Sequence, residues 1–208
     1  QGTLFGKNTS AGVINVVTKR PDFERSTDFE ITAGNYGLLG LSGSFNTPVG
    51  ENSAFRIFAA QRDRDGLMNI HTGGGPRTNK KDYDQDYSTV RAQWRILPND
   101  DLDINFMADY TRRDENCCSA VTLVNGATAA LIDALSPDSG VSTIADPFAR
   151  EAWSNRDTTQ KIQDKGLSGE VNWNTPWFGG ATLTSITAAR DWNVVNGLDF
   201  DYSSADIL

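Results

Sequence analysis

Histidine is nearly missing from this sequence: His71 is the only one. That removes most hydrolase triads and His-rich metal centres, and His71 itself reads as a solvated loop residue. Cysteine is equally sparse. The two that occur are adjacent, Cys117-Cys118, a spacing that makes neither a CxxC redox motif nor a four-ligand zinc site. Basic residues are outnumbered, 19 Lys and Arg against 27 Asp and Glu, for a net charge of −8. A sequence pI near 4.6 lacks the basic face that nucleic-acid binders present. No apolar run is long enough for a membrane-crossing helix, and no basic-then-apolar leader opens the chain. The mean hydropathy of −0.44 does not exclude a membrane β-barrel, in which only alternate residues meet lipid.

The opening stretch GTLFGKNTSAG, residues 2–12, looks at first like a phosphate-binding loop. The spacing fails. A P-loop needs four residues between its glycines and Ser or Thr after the Lys. Only Thr3, Leu4 and Phe5 separate Gly2 from Gly6, and Asn8 follows Lys7. The next residues, Val13 to Thr18, are β-branched and read as a strand, where a phosphate cradle needs a helix.

Beyond Pro21 the sequence repeats one pattern, stretches of about ten residues with period-two alternation, separated by turns. Seven are readable: 26–34, 37–47, 54–64, 87–97, 102–113, 166–175 and 181–192. The fifth is the clearest. Leu102, Ile104, Phe106, Ala108 and Tyr110 share one face, and Asp103, Asn105, Asp109 and Thr111 share the other. The expected fold is all-β and antiparallel. Stretches of about 9–11 residues suit tilted membrane-spanning strands better than the usual 5–6. Short connections (48–52, 98–101, 176–180) alternate with longer ones (65–86, 114–165), as turns and outer loops do in such barrels.

The opening stretch, continued through Ala11-Gly12-Val13-Ile14-Asn15-Val16-Val17-Thr18-Lys19-Arg20-Pro21, resembles the last part of the plug domain of TonB-dependent outer-membrane receptors. Residues 55–66 and 183–192 also resemble early barrel strands of that family. The resemblance implies an outer-membrane receptor of a Gram-negative bacterium, energised by TonB, that takes up a scarce nutrient such as a ferric siderophore. On that reading 1–21 is the C-terminal end of a plug domain. Residues 22–208 are the N-terminal part of a β-barrel, about seven strands of roughly 22. Gly2, Leu4, Gly6, Gly12, Asn15 and Thr18 would be structural plug residues, Val13–Thr18 the plug's last strand, and outer-membrane lipid, TonB and an extracellular ligand the partners. A passive porin-like or ligand-binding barrel without TonB coupling is the alternative. The chain would be a piece of a longer protein, and its open sheet would carry an unpaired edge.

No nucleophile–base pair or metal cluster is readable, so neither an enzyme nor a cofactor is expected. Cys117 and Cys118 are a candidate loop disulfide. Asp82, Asp84 and Asp86 lack the glycine and the bidentate Glu of an EF-hand loop and read as a solvated acidic strand entry. Ala127 to Leu135 has helix-forming composition. Arg56, Arg62, Arg91 and Arg95 are expected to pair with carboxylates on a shared polar face. Trp173, Trp177, Phe178 and Trp192 suit interfacial aromatic girdles of a barrel. Substrate and ligand-contacting residues are not readable.

Overall fold

The computed structural model describes residues 16–73, 75–136, 146 and 148–207. In chain order its elements are β1 (Ser26–Ala33), β2 (Leu39–Pro48), β3 (Ser53–Arg64), β4 (Met68–His71), β5 (Lys81–Asp82), β6 (Gln85–Asn99) and β7 (Leu102–Asn116). A seven-residue helix, α1 (Ala129–Leu135), precedes β8 (Glu151–Trp153), β9 (Thr159–Asn174) and β10 (Thr182–Asn196). Seven strands form one sheet in the order β1-β2-β3-β6-β7-β9-β10, antiparallel throughout. A second sheet of three short strands, β5-β4-β8, is assembled from the longer connections, and β4 runs parallel to β8.

The seven alternating stretches read from sequence all fall on strands of the larger sheet, and the strands extend further. β9 begins at Thr159, seven residues ahead of its alternating core, so the connection after β7 is shorter than the sequence suggests. The turns follow local chemistry. Between β1 and β2, Gly37 takes φ +66°, a left-handed conformation that costs little without a Cβ. Between β2 and β3, the Val49 amide donates to the Ser53 carbonyl at 2.7 Å. Between β6 and β7, the Asn99 side chain accepts the Asp101 amide at 3.0 Å, an Asx turn.

Register fixes two faces. Phe29, Ile31, Leu39, Leu41, Phe45, Ile57, Val90, Trp94, Phe106, Tyr110, Leu167 and Leu183 lie on one of them, and all are exposed. The opposite face holds the buried side chains of the sheet, and these are polar: Ser44, Asn46, Arg56, Gln93 and Asn105. Among the described residues, the buried hydrophobic side chains are only Ala54, Ile70, Ala152 and Ala205.

This architecture corrects the expected barrel. The pairing stops at β1 on one side and β10 on the other, so the larger sheet is open and closes on nothing. Two open sheets with one short helix replace the barrel segment, and an open sheet leaves backbone groups unsatisfied that a membrane-spanning strand array must pair. No helix among the described residues is long and apolar enough to cross a membrane, which bears on helices alone. Residues 16–18 form no strand, contrary to the expected plug strand; 13–15 lie outside the described residues. His71 is not a loop residue: it ends β4 and stacks on Trp153 with ring centroids 4.8 Å apart.

Gly37→Ala tests the first turn. A Cβ there adopts a disfavoured φ and meets the Asp65 carboxylate at 3.2 Å. The expected cost is about 1 kcal/mol, read as a lower denaturation midpoint at unchanged m-value.

Candidate functional site

The polar face of the larger sheet is crossed by residues 19–24, which run over it as a strap. Gln93 Nε2 donates to the Lys19 carbonyl at 3.0 Å, and Arg95 Nη1 to the Pro21 carbonyl at 3.4 Å. Arg20 Nη2 reaches Glu170 at 2.5 Å, and its Nη1 lies 3.6 Å from Asp103. At the far end Asn46, fully buried, accepts the Asp22 amide at 3.1 Å and donates to the Asp22 and Glu24 carbonyls at 3.0 and 2.6 Å. Strand register puts Asn46, Gln93, Arg95, Asp103 and Glu170 on one face of five adjacent or near-adjacent strands, which is why a short segment can bind all of them.

Beyond the strap the same face carries a ladder of charges. Arg190 bonds Asp109 at 2.7 and 2.8 Å and Asp164 at 2.6 Å, and Arg91 approaches Asp109 at 3.7 Å. Both carboxylates hold the Arg190 guanidinium firmly in its charged form. Gly166 lies under this pair: a Cβ there would meet Arg190 Nη2 at 2.8 Å and Asp109 Oδ2 at 2.9 Å, so glycine is what lets the ion pair cross β9. Arg95 takes Asp103 through two bonds, 3.0 and 2.8 Å, and Arg56 donates to Ser44 at 2.8 Å with Asp28 at 3.6 Å. Three of the four arginines singled out in the sequence thus meet carboxylates; Arg62 shares their face, opposite Tyr87 in register.

A second polar centre lies in the loops beside the smaller sheet. Asp82 is fully buried and accepts from the Ser119 amide at 3.0 Å, the Ser119 hydroxyl and Thr158 Oγ1 at 3.0 Å, with Arg77 at 3.7 Å. Arg77, equally buried, donates to Asn79, Lys81 and Arg156 carbonyls and to the Ser154 and Thr158 hydroxyls. Asp84 instead accepts the Asn116 amide, so neighbouring acids have separate partners. The expected solvated strand entry is corrected here, because Asp82 is the anchor of a buried network. Cys117 and Cys118 are bonded to each other just beside it, and the Cys117 amide donates to the Thr158 carbonyl at 2.7 Å. Asp199 accepts the Asn155 and Arg156 amides at 2.8 and 3.2 Å, yet burial raises its carboxyl above the ordinary range.

The exposed apolar face carries a depression. In register, Ala92, Ala108, Leu167 and Ala189 form one cross-strand row. Trp94 and Phe106 rise on one side of the two alanines, and Val90 and Tyr110 on the other. Two grooves, about 600 and 560 Å³, share this row; the first reaches Phe55, Gly169 and Thr187, the second Lys165 and Asp191. Lys165 Nζ and Asp191 Oδ2 are paired at 3.0 Å at that end. The sequence reading assigned no site to this row, although the small residues between Trp94, Phe106 and Tyr110 were a visible signal once register was known.

Of the expected plug residues, Gly2, Leu4, Gly6, Gly12 and Asn15 lie outside the described residues, and Thr18 is half-buried just before the strap. Trp173 packs edge-on against Trp177 at 5.2 Å in the β9–β10 turn, and Trp192 is exposed on β10. With no closed barrel they form no girdle.

No known protein-family model matches the chain. Together with the open sheet, this corrects the resemblance to TonB-dependent receptors and its consequences: the plugged barrel, the porin-like alternative, the TonB and outer-membrane lipid partners and the outer-membrane placement. The ferric ligand is unsupported as well. Among the described residues no group of three or more His, Cys, Asp or Glu side chains is arranged to hold a metal ion.

Two tests follow from the polar centres. Hydrogen bonds from Asn172, then Arg20, hold the Glu170 carboxyl below its ordinary range, against a smaller opposing effect of burial. A depressed folded-state pKa contributes stability above the unfolded value that is lost as pH falls through the folded one. Acid titration should therefore release the strap below about pH 4.5, seen as faster amide exchange in 19–24, and Glu170→Gln should flatten that transition. Asp82→Ala leaves Arg77 buried without its counter-charge and should cost about 3–5 kcal/mol. The double variant Asp82→Ala/Arg77→Met should recover part of that loss in equilibrium unfolding.

Proposed function

We propose that the chain is a binding module and not an enzyme, and that it takes up an elongated apolar ligand in the depression on the exposed face of the larger sheet. One observation carries this reading: a floor of small residues, Ala92, Ala108, Gly169 and Ala189, sunk between large exposed apolar side chains on a single face. Grooves of this volume fall within the range of small-molecule sites. Dispersion and burial of apolar surface drive uptake, and the Lys165–Asp191 pair offers polar atoms at one end.

The depression is open, so it covers one side of an occupant. An alkyl chain of about twelve carbons gains about 0.8 kcal/mol per fully buried CH₂, and roughly half of that here. After the cost of association this leaves a dissociation constant on the order of 0.1–1 mM for a bare chain.

The test uses a dodecyl chain carrying an environment-sensitive fluorophore, titrated below its micelle concentration. Ala108→Trp fills the floor from an exposed position and should weaken binding at least tenfold while leaving the unfolding transition in place. Equal binding by the filled variant, or none by the unmodified chain, would overturn the reading.

A further inference from the structure

The outer edge of β10 is a strand-pairing surface, and we infer that it pairs antiparallel with β10 of a second copy of this chain about a two-fold axis. This does not depend on the apolar depression having a ligand.

The edge is long and carries none of the devices that ordinarily blunt one. β10 spans fifteen residues without proline, and it pairs with β9 in continuous register from Thr182 to Asn196, so no bulge turns the edge away. Its one cation, Arg190, is turned inward onto Asp109 and Asp164. Every position except Val194 is exposed. The chain that follows β10 does not return along its edge. Gly197 donates to the Thr159 carbonyl at 2.7 Å, and Asp199 is held by the Asn155 and Arg156 amides at the loop end.

The hydrogen-bond phase shows which groups face outward. The Thr175 amide bonds the Ala181 carbonyl, and the Gly197 amide bonds Thr159, so odd-numbered residues of β10 direct their backbone toward β9. The even-numbered ones, Thr182 through Asn196, present their N–H and C=O groups on the free edge.

Side chains then select the partner. In β10 large apolar residues stand exposed on both faces: Leu183 and Val195 on one, Ile186 and Trp192 on the other. Interior strands keep their polar side chains on the covered face, so β10 departs from the pattern of its neighbours. An antiparallel copy centred on Ala189 uses all fifteen residues. It sets Ile186 opposite Trp192, Leu183 opposite Val195, Thr187 opposite Asp191 and Ala188 opposite Arg190, each pair twice. Aromatic and β-branched residues meet across strands, and no like charges face each other. Centring one residue further along would oppose Arg190 to itself. An isologous contact of this kind closes at two copies.

Register makes the test sharp. In this pairing Ala189 faces its own counterpart at a non-hydrogen-bonded position, where Cα atoms approach to about 4.5 Å. Full-length Ala189→Cys should therefore form a covalent dimer under mild oxidation, and Ser185→Cys, whose partner is Asn193, should not. Sedimentation of the unmodified chain should give a concentration-dependent dimer. Ala188→Arg, placing Arg against Arg190 twice, should weaken it at least tenfold, and Ala188→Glu should restore it. A monomer at all concentrations, equal crosslinking of both cysteine variants, or no difference between the Arg and Glu variants would overturn the pairing. Unchanged unfolding midpoints for the exposed Ala188 variants separate loss of pairing from loss of fold.

Discussion

Asp109 accepts Arg190 through two bonds and stands near Arg91, so a single carboxylate ties β6, β7 and β10 together across β9. Its side chain is only 7% exposed. A carboxylate that far from water is tolerated because two guanidinium groups flank it, and the arrangement holds only if nothing lies between. Gly166 provides that gap. The rest of the sheet follows the same logic, with Asp103 between Arg95 and Arg20 and Ser44 between Arg56 and Asp28. Removing one member of such a set strands the others, whereas exposed surface pairs contribute little.

That network explains an inversion. A two-faced antiparallel sheet ordinarily buries its apolar side and wets its polar one. Here the strap covers polar side chains, and Phe29, Trp94, Phe106 and Leu167 stay open. Hydrophobic burial within the chain therefore contributes little to the larger sheet, and backbone ladders with directed polar contacts must hold it. Directional contacts fix geometry closely. They also leave a broad apolar surface whose exposure is costly, so the surface gains by acquiring an occupant.

Much of this arrangement was legible in the sequence, and some of it was not. Period-two alternation located all seven long strands, because side-chain direction in a strand depends on nothing further away than the pleat. Alternation says which residues share a face but not which face is covered. Nothing in Leu102-Asp103-Ile104-Asn105 announces that the Asp and Asn side lies inward. The short strands β4, β5 and β8 escaped notice because segments as brief as Lys81–Asp82 carry no period, and their pairing is set by Arg77 and Asp82 from afar. The aspartates at 82, 84 and 86 looked alike in sequence; Ser119 and Thr158 make only the first a buried anchor. The family resemblance rested chiefly on 1–21, of which only 16–21 are described, and the open sheet and the absence of a matching family model correct it.

The two ends of the larger sheet differ in kind. One end has tight turns at 49–52, 100–101 and 175–181, fixed by their own backbone bonds. The other end gathers the long connections, the smaller sheet, the Cys117–Cys118 bond and the Asp82 and Asp199 networks. Strands stiffened by short turns transmit little freedom along their length, so any change in the loops reaches the apolar face mainly through β7 and β9, which run on into them at Asn116 and Thr159. Those two strands also supply Ala108 and Leu167 to the depression. Position along the strand thus separates a rigid platform, where apolar recognition sits, from a polar loop end whose protonation shifts, the raised Asp199 and Glu115 among them, respond to burial. The platform's shape is set by the turns and the charge ladder, and the loop end is free to vary without disturbing it.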